Sequence, residues 1–226
     1  MQGRRKAASA FSMGRPMRTS VYIDGFNLYY NAVKGTPYKW LDLLALAQYM
    51  LPGHDIGHIR YFTARVQSTP SDPQKAQRQD VYLRALRTIP NLTIHEGSFS
   101  RRQASMPLAK NGQATNKMVT VIKTEEKGSD VNLASYLLMD GVDKAYEQAA
   151  VISNDSDLVT PIVLVRKRLQ LQVGVLCPEC DPRLQSGKLK RAARFFKAIP
   201  ASALEACQFD PWLVDANGSF HKPAGW

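Results

Sequence analysis

The sequence predicts an α/β fold around a central, mostly parallel sheet, and three observations carry that prediction. The short runs Val21-Tyr22-Ile23, Ala149-Ala150-Val151-Ile152 and Leu171-Gln172-Val173-Gly174-Val175-Leu176-Cys177 have the length and branched, apolar composition of strands buried on both faces. The first two stop at small polar residues and run directly into an amphipathic segment, which makes each a strand-to-helix corner. Strands and helical segments also alternate through the first half of the chain as βαβαβ, the order expected of parallel strands joined by right-handed crossovers.

The elements follow in order. After the strand at 21–23, Gly25 allows a tight turn, and residues 26–33 carry apolar side chains at helical spacing. Tyr29 and Tyr30 read as aromatics of that helix, with stacking on bases as the alternative. Residues 40–50 form an amphipathic helix closed by Pro52-Gly53, and residues 56–64 the next strand. Ser71-Asp72-Pro73 opens a helix that runs to about residue 87, and residues 92–99 alternate like a strand. Residues 100–116 have no sustained period and read as a long basic loop. Residues 117–124 have the β-branched run of a strand, and Asp130 opens a largely buried helix. A helix over 158–168 precedes the strand at 171–177, where Cys177-Pro178-Glu179-Cys180 reads as a strand end. Residues 183–197 read as strongly basic and helical.

With 226 residues, 44% of them hydrophobic, the chain holds one ordinary α/β core. We divide it into a basic, disordered tail over 1–18, a folded domain over 19–200 and a loosely packed extension over 201–226, held through Phe209, Trp212 and Leu213. The longest apolar run, 41–51, is interrupted by Asp42 and Gln48 and followed by Pro52, so no membrane span is expected. Three cysteines argue against a disulfide framework and point to the cytoplasm. The formal net charge of +11 points to a polyanionic partner, nucleic acid first. Arg101, Arg102 and Lys110 in the basic loop, and Lys123 beyond it, are the candidate contacts to such a backbone.

Against this basic background stand four carboxylates at corners. Asp24 ends one strand, Asp155 ends another, Asp157 follows two residues later, and Asp130 lies in the first turn of a helix. Each could simply cap a helix. In a parallel sheet they can instead share the edge where strands end, and several carboxylates facing one cleft repel one another unless a cation lies between them. Oxygen ligands select a hard ion, Mg2+ or Mn2+. Asn27 lies on the first corner, where an amide can hold water or a neighbouring carboxylate without adding charge. The sequence holds no Ser-His-Asp or Cys-His arrangement and no glycine-rich phosphate loop that would argue for another chemistry.

Three blocks, Val21-Tyr22-Ile23-Asp24-Gly25-Phe26-Asn27, Lys127-Gly128-Ser129-Asp130-Val131-Asn132-Leu133-Ala134 and Ile152-Ser153-Asn154-Asp155-Ser156-Asp157-Leu158-Val159-Thr160-Pro161, resemble the signatures of NYN-domain proteins of the LabA-like group, relatives of PIN nucleases. The resemblance runs from about residue 20 to 176. It implies a Rossmann-like, PIN-type three-layer fold over the folded domain and a magnesium- or manganese-dependent ribonuclease acting on RNA. Asp24, Asp130, Asp155 and Asp157 match the family's acidic, metal-holding cluster, and Asn27 its signature asparagine. Two other readings stay open. A haloacid-dehalogenase-type phosphatase would want a second aspartate where Phe26 stands, and a catalytically silent RNA-binding or scaffold module could share the fold.

Overall fold

A computed structural model describes residues 15–110 and 112–226. The basic tail expected over 1–18 therefore lies largely outside the described residues, and its last residue, Arg18, already belongs to a strand. A seven-stranded sheet runs in the order β4 (Gln113–Lys127), β3 (Leu92–Lys110), β2 (Asp55–Ala64), β1 (Arg18–Asp24), β5 (Gln148–Ile152), β6 (Gln172–Cys177), β7 (Phe196–Ala198), and every neighbouring pair is parallel except β3 and β4. β1 is central, between β2 and β5. This is the α/β, three-layer, mostly parallel architecture that the sequence predicts.

The two-residue period of a strand explains the two cores. Val21 and Ile23 point into one core, with α1 (Gly25–Leu28), α2 (Leu43–Met50) and α3 (Lys75–Leu86); Tyr22 points into the other, with α4 (Ser129–Val142) and α5 (Val159–Arg168). Every residue of β5 is buried, as expected of a strand covered on both faces. A tyrosine survives in the second core because its hydroxyl donates to Asp140 Oδ2 at 2.7 Å, and Arg60 grips the same carboxylate with Nε at 2.7 Å and Nη2 at 2.9 Å.

Several boundaries differ from expectation for local reasons. The second helix begins at Leu43, because Asp42 is extended and its carboxylate accepts from the N–H groups of Leu44 and Ala45. After Leu28 the first helix continues as a π-helix, Tyr29–Val33. Gly25 is needed for close approach, since a Cβ there would sit 2.7 Å from the Phe62 carbonyl oxygen and from the Tyr61 ring. α5 is preceded by a 3₁₀ turn, Ser156–Leu158.

The irregular loop expected over 100–116 is instead a long antiparallel ribbon of β3 (Leu92–Lys110) and β4 (Gln113–Lys127). Beyond Gly97, β3 no longer pairs with β2, and residues 100–110 are almost all exposed, with no alternation of apolar residues to announce a strand. A register shift between Pro107 and Ala109 accommodates the proline. Residues 183–197, expected to be helical, hold only the short α6 (Gly187–Ala192). The chain then enters β6's neighbour β7 (Phe196–Ala198), with β6 at Gln172–Cys177. Phe195 and Phe196 divide between the two cores, and the Phe195 ring occupies the space a side chain at Gly174 would need.

The segment after Pro200 is packed, not loose. α7 (Ala201–Ala206) buries Ala203 and Leu204, and the hairpin of β8 (Trp212–Asp215) and β9 (Gly218–His221) buries Phe220. Phe209 meets fully buried Trp40 with centroids 5.7 Å apart, and Trp40 Nε1 donates to the Asp210 carbonyl at 2.9 Å. Trp212, expected as an anchor, is 67% exposed.

Candidate acidic site and its basic ribbon

The parallel register of β1 and β5 pairs Ile23 with Ile152, so Asp24, the last residue of β1, and Ser153, the first beyond β5, lie side by side at the strand ends. Asp24 is 5% exposed, and both of its oxygens are held. Oδ1 accepts from the Asn27 N–H at 3.0 Å and Oδ2 from the Ser153 hydroxyl at 3.1 Å. Ser153 Oγ in turn accepts from the Asp155 N–H at 3.0 Å, and Asp155 Oδ1 accepts from the Asp157 N–H at 2.9 Å. The two corners thus form one hydrogen-bonded edge. Asp155 also caps the 3₁₀ turn, so capping and membership of an acidic edge are compatible there.

Burial pushes the Asp24 carboxyl up to about 6; the Asn27 N–H works against this, while Asp130 and Asp155 add to it by repulsion. Asp130 is likewise raised, by burial first and then by Asp155, Glu126 and Asp157. These couplings tie all four predicted aspartates to one neighbourhood, with Asp157 exposed at its rim. Among the described residues, no three His, Cys, Asp or Glu side chains gather closely enough to hold a metal ion by themselves.

Asn27 acts as a clamp. Its Oδ1 accepts from the Asn154 N–H at 2.8 Å and from Asn31 Nδ2 at 2.8 Å, which ties the first corner to the second. Asn154 extends the clamp, with Nδ2 donating to the Leu184 carbonyl at 3.0 Å and Oδ1 accepting from the Ser186 N–H at 2.7 Å.

Two participants escaped the sequence reading. Glu126, at the end of β4, caps α4 by accepting from the Ser129 N–H at 3.1 Å and its hydroxyl at 2.8 Å, and its charge reaches Asp130. Its proximity to Gly128 and Asp130 in sequence was the available signal. Phe99, at the foot of the ribbon, meets Phe26 edge-on at 5.7 Å, which fixes the ribbon beside the first corner. No signal in the sequence pairs those two rings.

The ribbon carries Arg101, Arg102, Lys110 and Lys123, but not as one patch. Arg102 and Lys123 are cross-strand partners on one face, where both reach Glu125, Arg102 at 3.7 Å and Lys123 at 2.5 Å. Arg101 pairs with Thr124 on the opposite face, and Lys110 lies at the tip opposite Gln113.

A mostly parallel central sheet covered by helices on both faces, with an acidic edge, is a PIN-like three-layer fold, and its family match sets it within the PIN-like nuclease superfamily. The NYN domain model matches residues 18–200, and the chain belongs to this family. It is 29% identical over 237 aligned positions to 6-hydroxy-3-succinoylpyridine 3-monooxygenase HspA of Pseudomonas putida (strain DSM 28022 / S16), covering 93% of this chain and 76% of that protein. It also resembles the crystal structure of VPA0982, a protein of unknown function from Vibrio parahaemolyticus RIMD 2210633, with a TM-score of 0.52 and 17% identity over 82% of this chain and 94% of that one. That likeness shows the fold. No helix among the described residues is long and apolar enough to cross a membrane.

Proposed function

We propose that the chain is a divalent-ion-dependent ribonuclease that hydrolyses phosphodiester bonds of RNA. The observation that carries this reading is buried Asp24, crowded by Asp130 and Asp155 at the sheet edge of a strongly basic protein. The donors are hard oxygens, which fit Mg2+ or Mn2+. Such an ion is typically held by one or two carboxylates, with water and substrate phosphate oxygens completing its shell. Asp24 would hold that ion with one of its neighbours Asp130 and Asp155, and the remaining carboxylates, Asp157 at the rim among them, would reach it through its waters. Once bound, it would supply Lewis acidity toward the phosphate and acidify a water. The Asn27 and Ser153 hydrogen bonds fix the Asp24 carboxylate in one orientation, so binding requires no rearrangement there. The ribbon's Arg101, Arg102, Lys110 and Lys123 would hold the RNA backbone through charge, with little regard to sequence.

The test is cleavage of labelled single-stranded RNA with manganese or with chelator, by parent and Asp24→Asn. Cleavage that needs the ion and vanishes in the variant is expected; a variant that cuts at the parent's rate under matched metal would falsify the assignment. A second reading rests on one observation, the pyridine monooxygenase to which this chain is similar over almost its whole length. It places a small heteroaromatic molecule at the same edge. Consumption of 6-hydroxy-3-succinoylpyridine by protein that leaves RNA intact would favour it.

A further inference from the structure

On the face of the sheet that carries α1 and α3, a cavity of about 590 Å3 opens beside the first corner. Gly25 lines it, so its contents lie next to the residue that follows Asp24. The volume falls within the roughly 300–1,000 Å3 of small-ligand pockets. Its walls are aromatic: Tyr29 and Tyr30 on one side, with centroids 5.2 Å apart, and Tyr82 and Trp226 on another, 5.7 Å apart. Tyr30 is 54% exposed, a large aromatic that packs into neither core. Lys34 Nζ sits 4.8 Å from the Tyr30 ring centroid, and Lys39, Lys75 and Arg78 also line the space. The lining holds one acid, Asp72, and Arg78 engages it at 2.5 Å. The cavity therefore offers flat aromatic faces and a surplus of positive charge. Both features select one chemistry, since aromatic faces stack on planar rings and ammonium groups attract anions. The acidic cluster lies outside the lining, so the cavity is not a second metal site.

We propose that this cavity binds a planar aromatic ring carrying an anionic group and holds it beside the acidic edge. Tyr30 stacks on the ring, and Lys34 pairs with the anion. The nucleotide next to the cut phosphate of an unpaired RNA strand is one source of that chemistry, and a free aromatic carboxylic acid is the other. The inference deepens the nuclease reading where the source is RNA, because a nucleotide must leave any duplex to stack there.

The test is calorimetric titration of the intact chain in chelator, which requires no turnover and so stands apart from the cleavage assay. The probes are uridine 5′-monophosphate, nicotinate, ribose 5-phosphate as an anion without an aromatic ring, and uridine as a ring without an anion. Either uridine 5′-monophosphate or nicotinate should bind at least about 10-fold more tightly than ribose 5-phosphate and uridine; the tighter of the two identifies the source. Tyr30→Ala, at an exposed position that spares the core, should weaken that binding by about 5-fold or more, and Lys34→Ala should weaken it as well. Ribose 5-phosphate or uridine binding as tightly as the better of the two aromatic anions, binding of that anion indifferent to Tyr30→Ala, or no binding of either aromatic anion would overturn the proposal. RNA cleavage could persist in each of these cases, so the pocket and the nuclease reading fail separately.

Discussion

Replacing Asp24 with Asn should stabilise the metal-free protein, and by more at high pH than at low. The amide keeps the shape, its oxygen can still accept from the Asn27 N–H, and its NH2 can donate to Ser153 Oγ, which lies 3.1 Å from the carboxylate oxygen it replaces. Only the charge is lost. The folded state holds the Asp24 proton up to about 6, against an ordinary value of 3.8, so it binds more protons than the unfolded chain in that interval. Parent stability therefore falls as pH rises through the interval, by on the order of 3 kcal/mol in all, about half of it by pH 5. The variant has no such loss. The opposite dependence of groups such as Asp215, whose carboxyl Arg84 pulls down to about 2, is common to both proteins and cancels in the difference. The assay is urea unfolding of both proteins in chelator from about pH 4 to pH 8. The stability difference should grow toward high pH in favour of the variant. A difference that stays flat across that range, or grows in favour of the parent, would refute the account of a crowded, buried carboxylate.

Two further outcomes test the rim of the site and the ribbon. Replacing Arg101, Arg102 and Lys110 together with Ala should weaken binding across unrelated single-stranded RNAs and lower the slope of log affinity against log salt by up to about 2; an unchanged slope would leave the ribbon a bystander. Asp157→Asn should melt no lower than the parent in chelator and should gain less from a manganese series. A variant that melts lower, by the roughly 0.3–1 kcal/mol of a lost helix-end charge, yet responds to manganese like the parent would remove Asp157 from the site.

The mostly parallel sheet was legible because buried strands leave a record in the side chains. Ala149, Ala150, Val151 and Ile152 are all 0% exposed, and no polar residue could stand among them without a partner. The corners were legible for the same reason, since Asp24 and Asp155 follow directly on such runs. The part of the ribbon that reads as a loop left no record: Gln103 and Ser105 are exposed and serve a solvated strand as well as a loop. The role of Glu126 depends on where β4 ends relative to α4, a matter of register that the sequence does not print. Of the aromatic side chains in the C-terminal segment, Phe209 buries as expected and so does Phe220, whereas Trp212 does not. The clamp from Asn27 to the Asn154 N–H joins residues far apart in sequence, and only the pairing of β1 with β5 brings them within reach.

That pairing has a kinetic consequence. β1 can meet β2 early, but its other edge must wait for β5, with Thr19 set opposite Gln148 across a separation of about 130 residues, a costly closure. The Asp24 carboxylate is neither fully buried nor crowded by Asp155 until that edge is sealed. The cost of its charge, burial first and repulsion after it, therefore bears on the native state more than on the ensemble that climbs toward it, and it shortens the lifetime of the folded protein instead of slowing its formation. In stopped-flow experiments without metal, removing the Asp24 charge should slow the unfolding limb and leave the refolding limb nearly in place. An ion seated at the edge would act the same way, so occupancy of the site would also set how long each molecule stays folded.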